Sequence, residues 1–207
     1  MTPQELRRLF QGELPGEAAH RDFLPMRGSS KAAIESGLPY KLSAVAVLLF
    51  QNEDGQLSTL VTQRQIYDGS HSGQISFPGG KFEDSDAHLV HTAIRETREE
   101  IGIDISNAEK LGQLTSVYIP VSQFLVEPHV FFLPEQPRNF YPSEREVKRI
   151  HRVELPKLFV PEAVQHLDLT MPNGILLKQV PHFVQNDLRI WGATAVMLNE
   201  LKFLLKF

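Results

Sequence analysis

The sequence predicts a single domain of the α+β or mixed α/β sandwich class, on three observations. A length of 207 residues suits one domain with modest extensions. An apolar fraction of 42% is sufficient to bury a core without covalent cross-links. Strand-like segments come in pairs that look antiparallel, and the helical segments stand apart from them, an order that favours a sheet packed against separate helices.

Composition excludes several classes of function. The chain contains no cysteine, so it has no disulfide framework, no thiolate nucleophile and no cysteine-ligated zinc or iron–sulfur site. A cysteine-free chain fits a reducing compartment, and we predict a cytoplasmic location. The formal charge of −4 gives no overall basic surface for nucleic acid. The N-terminus lacks the features of a secretory signal, and no apolar run approaches the length of a membrane span. We therefore predict a small-molecule ligand, and either a monomer or a homodimer.

The first 38 residues are predicted to form a peripheral extension of the domain, which itself covers residues 39–207. Thr2 can cap a helix that starts at Pro3 and ends near Gln11. A loop that contains glycine and proline follows this helix and leads into the domain.

The domain is predicted to open with two strands and a long loop. Leu42–Phe50 is strongly apolar, as expected of a buried strand, and Leu57–Thr62 returns after the turn signal Asn52–Gly55. The polar, glycine-rich stretch over residues 65–86 follows. Long loops inside compact domains are usually functional, so this stretch is a candidate site.

The clearest helix runs from Ala87 to Ile101, with Asp86 as its N-cap and Gly102 as its stop. Its stripe of Val90, Ile94, Thr97 and Ile101 is predicted to face the core. The remaining predictions are strands near Leu111–Val117 and Val126–Leu133, a short helical segment over Pro156–Val164, a hairpin formed by Gly174–Val180 and Asp187–Ile190, and a closing amphipathic helix over Gly192–Leu205.

Three acids near the end of this helix indicate a bound cation. Glu96, Glu99 and Glu100 share an arc of roughly 100° on the helix surface. Like charges at this spacing repel, and the C-terminal end of a helix disfavours acids. Carboxylate oxygens are ligands that suit Mg²⁺ or Mn²⁺. The alternative is a solvated charged face in which Arg95 pairs with Glu99 one turn later.

The segment from Gly80 to Ile103 resembles the box of the Nudix family, G-x5-E-x7-R-E-U-x-E-E-x-G-U. The matching positions are Gly80, Arg95, Glu96, Glu99, Glu100, Gly102 and Ile103. Thr97 replaces the usual aliphatic residue, and one extra residue separates Gly80 from Arg95. The first acid of the box is therefore Asp86 counted from the left, or Ala87 counted from the right. The resemblance implies a Nudix-like α/β/α sandwich with a mixed sheet, which hydrolyses nucleoside diphosphate derivatives with a divalent metal.

The upstream residues resemble one branch of that family, the coenzyme A pyrophosphatases. This branch combines a T-x-R strand end, here Thr62–Arg64, with an H-x-G-Q-x-x-F-P-G-G loop, here His71–Gly80, and its box carries the same insertion. The stretch Ile190–Thr194 also looks like the C-terminal segment of the branch. The resemblance covers residues 40–200. It implies hydrolysis of coenzyme A or acyl-coenzyme A to 4′-phosphopantetheine, or its acyl form, and adenosine 3′,5′-bisphosphate.

The resemblance also implies roles for individual residues. Glu96, Glu99 and Glu100 are predicted to be metal ligands and catalytic groups, with Glu99 as ligand or general base, and Arg95 is predicted to orient a glutamate. The predicted substrate-binding residues are Arg64, His71, Gln74, Gly79 and Gly80. Each has a structural alternative: a surface ion pair for the arginine, local hydrogen bonds for His71 and Gln74, and a tight turn for the glycines.

Three questions stay open from the sequence. Glu146 is predicted to be a solvated loop acid, with a metal or base role as the alternative. A 3′-phosphate on the substrate would need nearby cations, for which Lys41, Lys81, Arg145 and Lys148 are candidates. The rival functions are hydrolysis of another diphosphate, such as ADP-ribose or a dinucleotide, and a non-catalytic binding module with the same fold.

Overall fold

The computed structural model describes residues 1–24, 29–67, 71–170 and 174–207. Its main sheet contains eight strands in this part of the chain, of which β1 and β7 are the longest. These strands are β1 (Lys41–Gln51), β2 (Leu57–Arg64), β3 (Ile75–Ser76), β4 (Gly79–Lys81), β5 (Glu109–Gln113), β6 (Val117–Ile119), β7 (Phe124–Phe132) and β8 (Val147–Glu154). A second sheet consists of β9 (Val164–Thr170), β10 (Leu176–Gln185) and β11 (Leu188–Ile190).

Six α-helices surround these sheets in the described residues. They are α1 (Pro3–Phe10), α2 (Glu17–His20), α3 (Ser30–Glu35), α4 (Leu89–Ile101), α5 (Leu155–Leu158) and α6 (Gly192–Leu205). Short 3₁₀ turns cover Arg21–Phe23 and Pro161–Ala163. None of these helices is long and apolar enough to cross a membrane.

Strand β1 is the centre of the main sheet. It pairs in parallel with β7 along nearly its whole length, and antiparallel with β2 at one end and with β4 at the other. The path β3-β2-β1-β7-β5 is completed by β6 beside β7 and β8 beside β2. The parallel pair among antiparallel neighbours makes the sheet mixed, as predicted.

The two faces of the sheet carry different helices. Successive side chains of a strand point to opposite faces. Ala46 and Leu48 of β1 accordingly pack in a cluster with Ile101 of α4, whereas Val47 and Leu49 pack in a larger cluster with α6 and α1. The α/β/α sandwich is therefore confirmed.

The N-terminal segment packs onto the α6 side of the domain. Leu6 and Phe23 are buried in the larger cluster. The buried His20 places Nε2 2.9 Å from Oε2 of Glu200 on α6, and this carboxylate also accepts hydrogen bonds from Thr115. The segment is thus attached closely to the domain, while the predicted boundary at residue 38 stays a prediction. Because the N-terminal segment also covers α6, this helix is buried around most of its circumference, whereas the sequence predicted an amphipathic helix.

Helix α4 ends as predicted but begins two residues late. Gly102 adopts a left-handed backbone with φ 74°, and its N–H donates to the Arg98 carbonyl. At the other end, His88 occupies the N-cap position without a side-chain hydrogen bond, so the prediction of Asp86 as N-cap is wrong. The Asp86 carboxylate is instead taken up by Arg95 and by the Thr92 hydroxyl, which leaves it no free position over the helix N-terminus.

Several downstream predictions were also incomplete. The single strand expected at Leu111–Val117 is two strands, β5 and β6, because β5 pairs with the end of β7 and β6 with its beginning. The expected helical segment at Pro156–Val164 is α5 followed by a 3₁₀ turn. Strands β8 and β9 were not predicted, since charged residues interrupt their apolar positions and the sheet partners supply the pairing.

Candidate active site

The C-terminal end of α4 is fastened to the loop that precedes β8. The last carbonyls of a helix have no partners within it. Here Tyr141 N–H donates to the Ile101 carbonyl at 3.0 Å, and Ser143 N–H donates to the Glu100 carbonyl at 2.9 Å. Gln65 N–H in turn donates to the Glu146 carbonyl at 2.9 Å. These bonds hold Glu146 between the end of α4 and the end of β2.

Three acids meet at this junction and form what we call the carboxylate cluster: Glu96, Glu100 and Glu146. Each offers one carboxylate oxygen, and these oxygens all lie within 4.8 Å of one another. The arrangement favours the alternative interpretation of Glu146, which the sequence alone presented as a solvated loop acid.

Glu99 lies outside the carboxylate cluster. Its side chain is 56% exposed and accepts a hydrogen bond from Arg95 Nη1 at 3.0 Å. At about 100° per residue, Glu96 and Glu100 are only about 40° apart around the helix, whereas Glu99 falls on the far side of Glu96. The metal set predicted from sequence is therefore not the set of acids that the fold brings together, and a base role for Glu99 stays a prediction.

The electrostatics of Glu100 fit a site for a divalent cation. Its side chain is 3% exposed, and this burial, reinforced by the charge of Glu96, raises the pKa of Glu100 to about 8. The opposing contacts are weak: Arg64 Nη1 lies 3.7 Å from Oε1, and Gly79 N–H donates to Oε2 at 3.3 Å. Burial also raises the pKa of Glu96. Crowded, partly buried carboxylates with little compensating charge are the donor set that a hard divalent cation requires.

The two glycines of β4 allow this crowding. Gly80 pairs with Ala44 and Gly79 with Val45 in the ladder between β4 and β1. A β-carbon on Gly79 would collide with the β1 backbone, and one on Gly80 would collide with the Glu96 carboxylate. Glycine is therefore required to seat α4 against the sheet with Glu96 in place. Substrate contact by these glycines stays a prediction.

Arg95 forms hydrogen bonds with acids on α4 and in the loop before it. Its Nε and Nη2 atoms donate to the two oxygens of Asp86 at 3.1 and 3.0 Å, and Nη1 donates to Glu96 at 2.9 Å. This guanidinium lowers the pKa of Asp86 to about 2. The geometry assigns Asp86, rather than Ala87, as the acid that partners the arginine of the box. Arg95 touches three acids of the motif, Asp86, Glu96 and Glu99, and thereby fixes the position of Glu96.

The end of β2 and the loop before β3 each contain a side-chain nitrogen atom without a hydrogen-bond partner among the described residues. His71 Nδ1 lies 2.9 Å from Gln74 Oε1, and the Gln74 carbonyl accepts from Arg64 N–H at 3.0 Å. His71 Nε2 and Arg64 Nε are buried and have no hydrogen-bond partner among the described residues. Buried polar atoms are usually paired, so these two atoms indicate a place for a ligand. Gln74 forms the local hydrogen bonds that were its structural alternative, and its contact with substrate stays a prediction. Residues 68–70 of this loop lie outside the described residues.

Comparison with known proteins identifies the family. The NUDIX domain matches residues 40–173 of this chain. The chain belongs to the NUDIX family. Helix α4 is its Nudix helix, and the carboxylate cluster lies at the C-terminal half of that helix. Glu96, Glu99 and Glu100 of the family's box are all present in this helix.

The Nudix domain is similar to several curated proteins. The human mitochondrial coenzyme A diphosphatase NUDT8 is 33% identical over 129 residues, which cover 62% of this chain and 54% of that protein. The chain thus spans about half the length of the human relative. Nudix hydrolase 3 of Caenorhabditis elegans is 30% identical over 177 residues, covering 79% of this chain and 73% of that one. The uncharacterized Nudix hydrolase NudL of Pectobacterium atrosepticum is 34% identical over 146 residues, covering 69% and 72%.

Proposed function

We propose that this Nudix hydrolase cleaves the diphosphate of coenzyme A or acyl-coenzyme A with Mg²⁺ or Mn²⁺, giving 4′-phosphopantetheine, or its acyl form, and adenosine 3′,5′-bisphosphate. The observation that carries the proposal is a contact between two segments. Arg64 and Gly79, which belong to the stretches that resemble the coenzyme A branch, both contact Glu100 of the carboxylate cluster. The human relative named a coenzyme A diphosphatase supports the same substrate class.

In the proposed mechanism, Glu96 and Glu100 would hold the cation, and Glu146 would be a third ligand or the base. A divalent cation bound there supplies Lewis-acid charge to the diphosphate oxygens and to the attacking water. Arg95 keeps Glu96 oriented, and Gly79 N–H keeps Glu100 oriented. Arg64 has a forked set of donors for a phosphate oxygen, and its unpaired Nε is free to take that role. Glu146 is the exposed member of the cluster and can pass a proton to solvent.

The decisive experiment is a substrate panel with each metal. Coenzyme A, an acyl-coenzyme A, dephospho-coenzyme A, ADP-ribose and a dinucleoside polyphosphate are incubated with Mg²⁺, Mn²⁺ or excess chelator, and products are identified by mass. We expect the highest kcat/KM for a coenzyme A compound and no turnover in chelator. A higher kcat/KM for ADP-ribose would transfer the proposal to that substrate. Failure to cleave any diphosphate with either metal would favour the binding-module alternative.

The position of Glu146 in the carboxylate cluster supports a functional role for this acid rather than for the exposed Glu99. We expect Glu146→Gln to lower turnover by at least about tenfold, because a charged ligand or base is lost from the cluster, and Glu99→Gln to have a smaller effect. Both side chains are on the surface, so the two variants are matched in exposure and in chemistry. The measurement is kcat at saturating metal. A larger loss of kcat in Glu99→Gln than in Glu146→Gln would instead support Glu99 as ligand or general base, as the sequence predicted.

Arg64 and His71 are expected to act in binding. Arg64→Ala and His71→Ala should raise KM for coenzyme A about tenfold or more while lowering kcat less, because each removes a hydrogen bond that a charged substrate uses throughout the reaction. Arg98→Ala, an exposed arginine on α4, is the control and should leave KM unchanged. Variants that keep KM and lose only kcat would instead place these residues in the chemical step.

The cytoplasmic location and the monomeric or homodimeric state stay predictions from the sequence. Size-exclusion chromatography with light scattering measures the second directly.

A further inference from the structure

A cavity lies on the face of β2 opposite to the carboxylate cluster. It has a volume of about 780 Å³, which is in the range of small-molecule sites. It opens between β8 and the turn that joins β10 to β11. The residues that matter among those lining it are Gln63, Gly73, Arg149, His151, Asp187 and Arg189.

The lining of this cavity is basic, although the chain as a whole carries a net charge of −4. Three arginines (Arg149, Arg152 and Arg189) and one acid (Asp187) line it, a formal charge of 3 − 1 = +2 with neutral histidine. Arg152 is already engaged, because it donates to the Pro137 carbonyl and lies over the Phe140 ring. Within the described part of the chain, Arg149 and Arg189 form no ion pair within 4.0 Å. Two guanidinium groups are therefore available to an anion.

His151 adds a directional group to the same wall. It pairs with Val61 across the ladder between β2 and β8, two residues from Arg149 on its own strand, so both side chains project from one face. Its Nε2 atom is buried and has no hydrogen-bond partner among the described residues. A buried, unpaired nitrogen beside available arginines is typical of a site completed by a ligand.

The cavity and the carboxylate cluster lie on opposite faces of β2. Arg149 is paired with Gln63, and paired residues share a face of the sheet. The next residue, Arg64, projects from the opposite face, where it approaches Glu100. Gly73, in the cavity wall, belongs to the same loop as His71 and Gln74. One short stretch of chain thus borders both places.

We propose that this basic cavity binds a phosphomonoester group, held by the guanidinium groups of Arg149 and Arg189 and by Nε2 of His151. Arginine forks match the oxygens of a phosphate, and two forks suit a dianion better than a single carboxylate. The group has two possible sources: the 3′-phosphate of the substrate, in which case the assignment rests on the proposed function, or a separate phosphorylated molecule. None of the cations named from the sequence for a 3′-phosphate lines this cavity.

The binding test does not depend on turnover. Adenosine 3′,5′-bisphosphate and inorganic phosphate are titrated calorimetrically into the wild type, the single variants Arg149→Gln and Arg189→Gln, the double variant, and Lys178→Gln as an exposed control on β10 outside the cavity. We expect the double variant to bind the bisphosphate at least about tenfold more weakly, with intermediate singles and an unchanged control. Melting curves verify that each variant is folded. Equal affinity in the double variant, or an equal loss in the control, would overturn the proposal.

Kinetics then separate the two sources. If the phosphate belongs to the substrate, the double variant should lose kcat/KM for coenzyme A but keep it for dephospho-coenzyme A. If it belongs to a separate molecule, added phosphate should change the wild-type rate with both substrates and leave the double variant unaffected. Arginine-dependent binding without any cleavage of coenzyme A would retain the cavity and reject the proposed function.

Discussion

Glu100→Gln is expected to reduce turnover by at least about a hundredfold and to stabilise the metal-free protein. A ligand worth roughly 3 kcal/mol to the transition state corresponds to that factor. The stabilisation follows from the carboxyl's burial, which raises the pKa of Glu100 from 4.5 to about 8. Glutamine keeps the shape and needs no proton, whereas the wild-type carboxyl must take up a proton on folding at this pH. At pH 7 we expect a gain on the order of 2 kcal/mol, or a rise in Tm of about 4–8 °C.

The stability of the metal-free wild type should depend on pH, and the direction of this dependence tests the prediction. The folded state retains a proton on Glu100 that the unfolded chain releases above about pH 4.5, so in excess chelator the wild type loses stability as pH rises towards 8. The variant lacks this loss, and the difference in Tm between the two proteins should widen over the same interval. Glu99→Gln, on the exposed side of α4, is the control and should leave Tm nearly unchanged. A metal-free Glu100→Gln protein that melts below the wild type at pH 8, or that retains wild-type kcat, would contradict the assignment.

Arg95→Ala is expected to have the largest effect on stability. It removes the only cation whose hydrogen bonds to the Asp86 carboxylate are seen in the described residues, and it releases Glu96 as well. Removing one partner of a buried pair costs about 3 kcal/mol, equivalent to a fall in Tm of about 6–12 °C. Loss of the contact that orients Glu96 should also lower activity by about 10–100-fold. Thermal melting and steady-state kinetics measure the two effects.

A matched control lies one turn away at Arg98, which is exposed, and Arg98→Ala should change stability by less than about 0.5 kcal/mol. The loss of stability at low pH offers a second check. Because Arg95 lowers the pKa of Asp86 to about 2, the pair stabilises the wild type above about pH 4, and this contribution is lost as pH falls towards 2. The free energy of unfolding of Arg95→Ala should therefore fall less between about pH 4 and pH 2 than that of the wild type. Equal Tm in Arg95→Ala and Arg98→Ala would show that Asp86 is satisfied without its arginine.

Predictions from sequence succeeded where local pattern is sufficient. The end of α4 at Gly102 and the bounds of α6 follow from apolar periodicity and stop signals, which act within one or two turns. The start of α4 did not follow, because Asp86 can serve either as a cap or as an ion-pair partner. The choice depends on Arg95, which reaches it only after the helix has formed.

Strands β8 and β9 likewise could not be predicted from local sequence pattern. Their sequences mix charged and apolar residues, and their conformation depends on the partners β2 and β10. A strand that is specified by its neighbours carries little signal of its own. The basic cavity depends on these strands, since Arg149 belongs to β8 and faces the turn between β10 and β11.

The sequence by itself determined the family, the glycine turn and the acids of the helix, because a contiguous motif specifies chemistry at fixed spacing. Only the tertiary structure decided which acids converge. Helical rotation places Glu96 and Glu100 together, but the packing of α4 on the sheet decides that this face is the buried one. Glu146 joins them because the free carbonyls at the end of α4 accept hydrogen bonds from the loop before β8. That contact satisfies the helix end and sets the position of the third acid, for which the sequence offered a metal or base role only as the alternative.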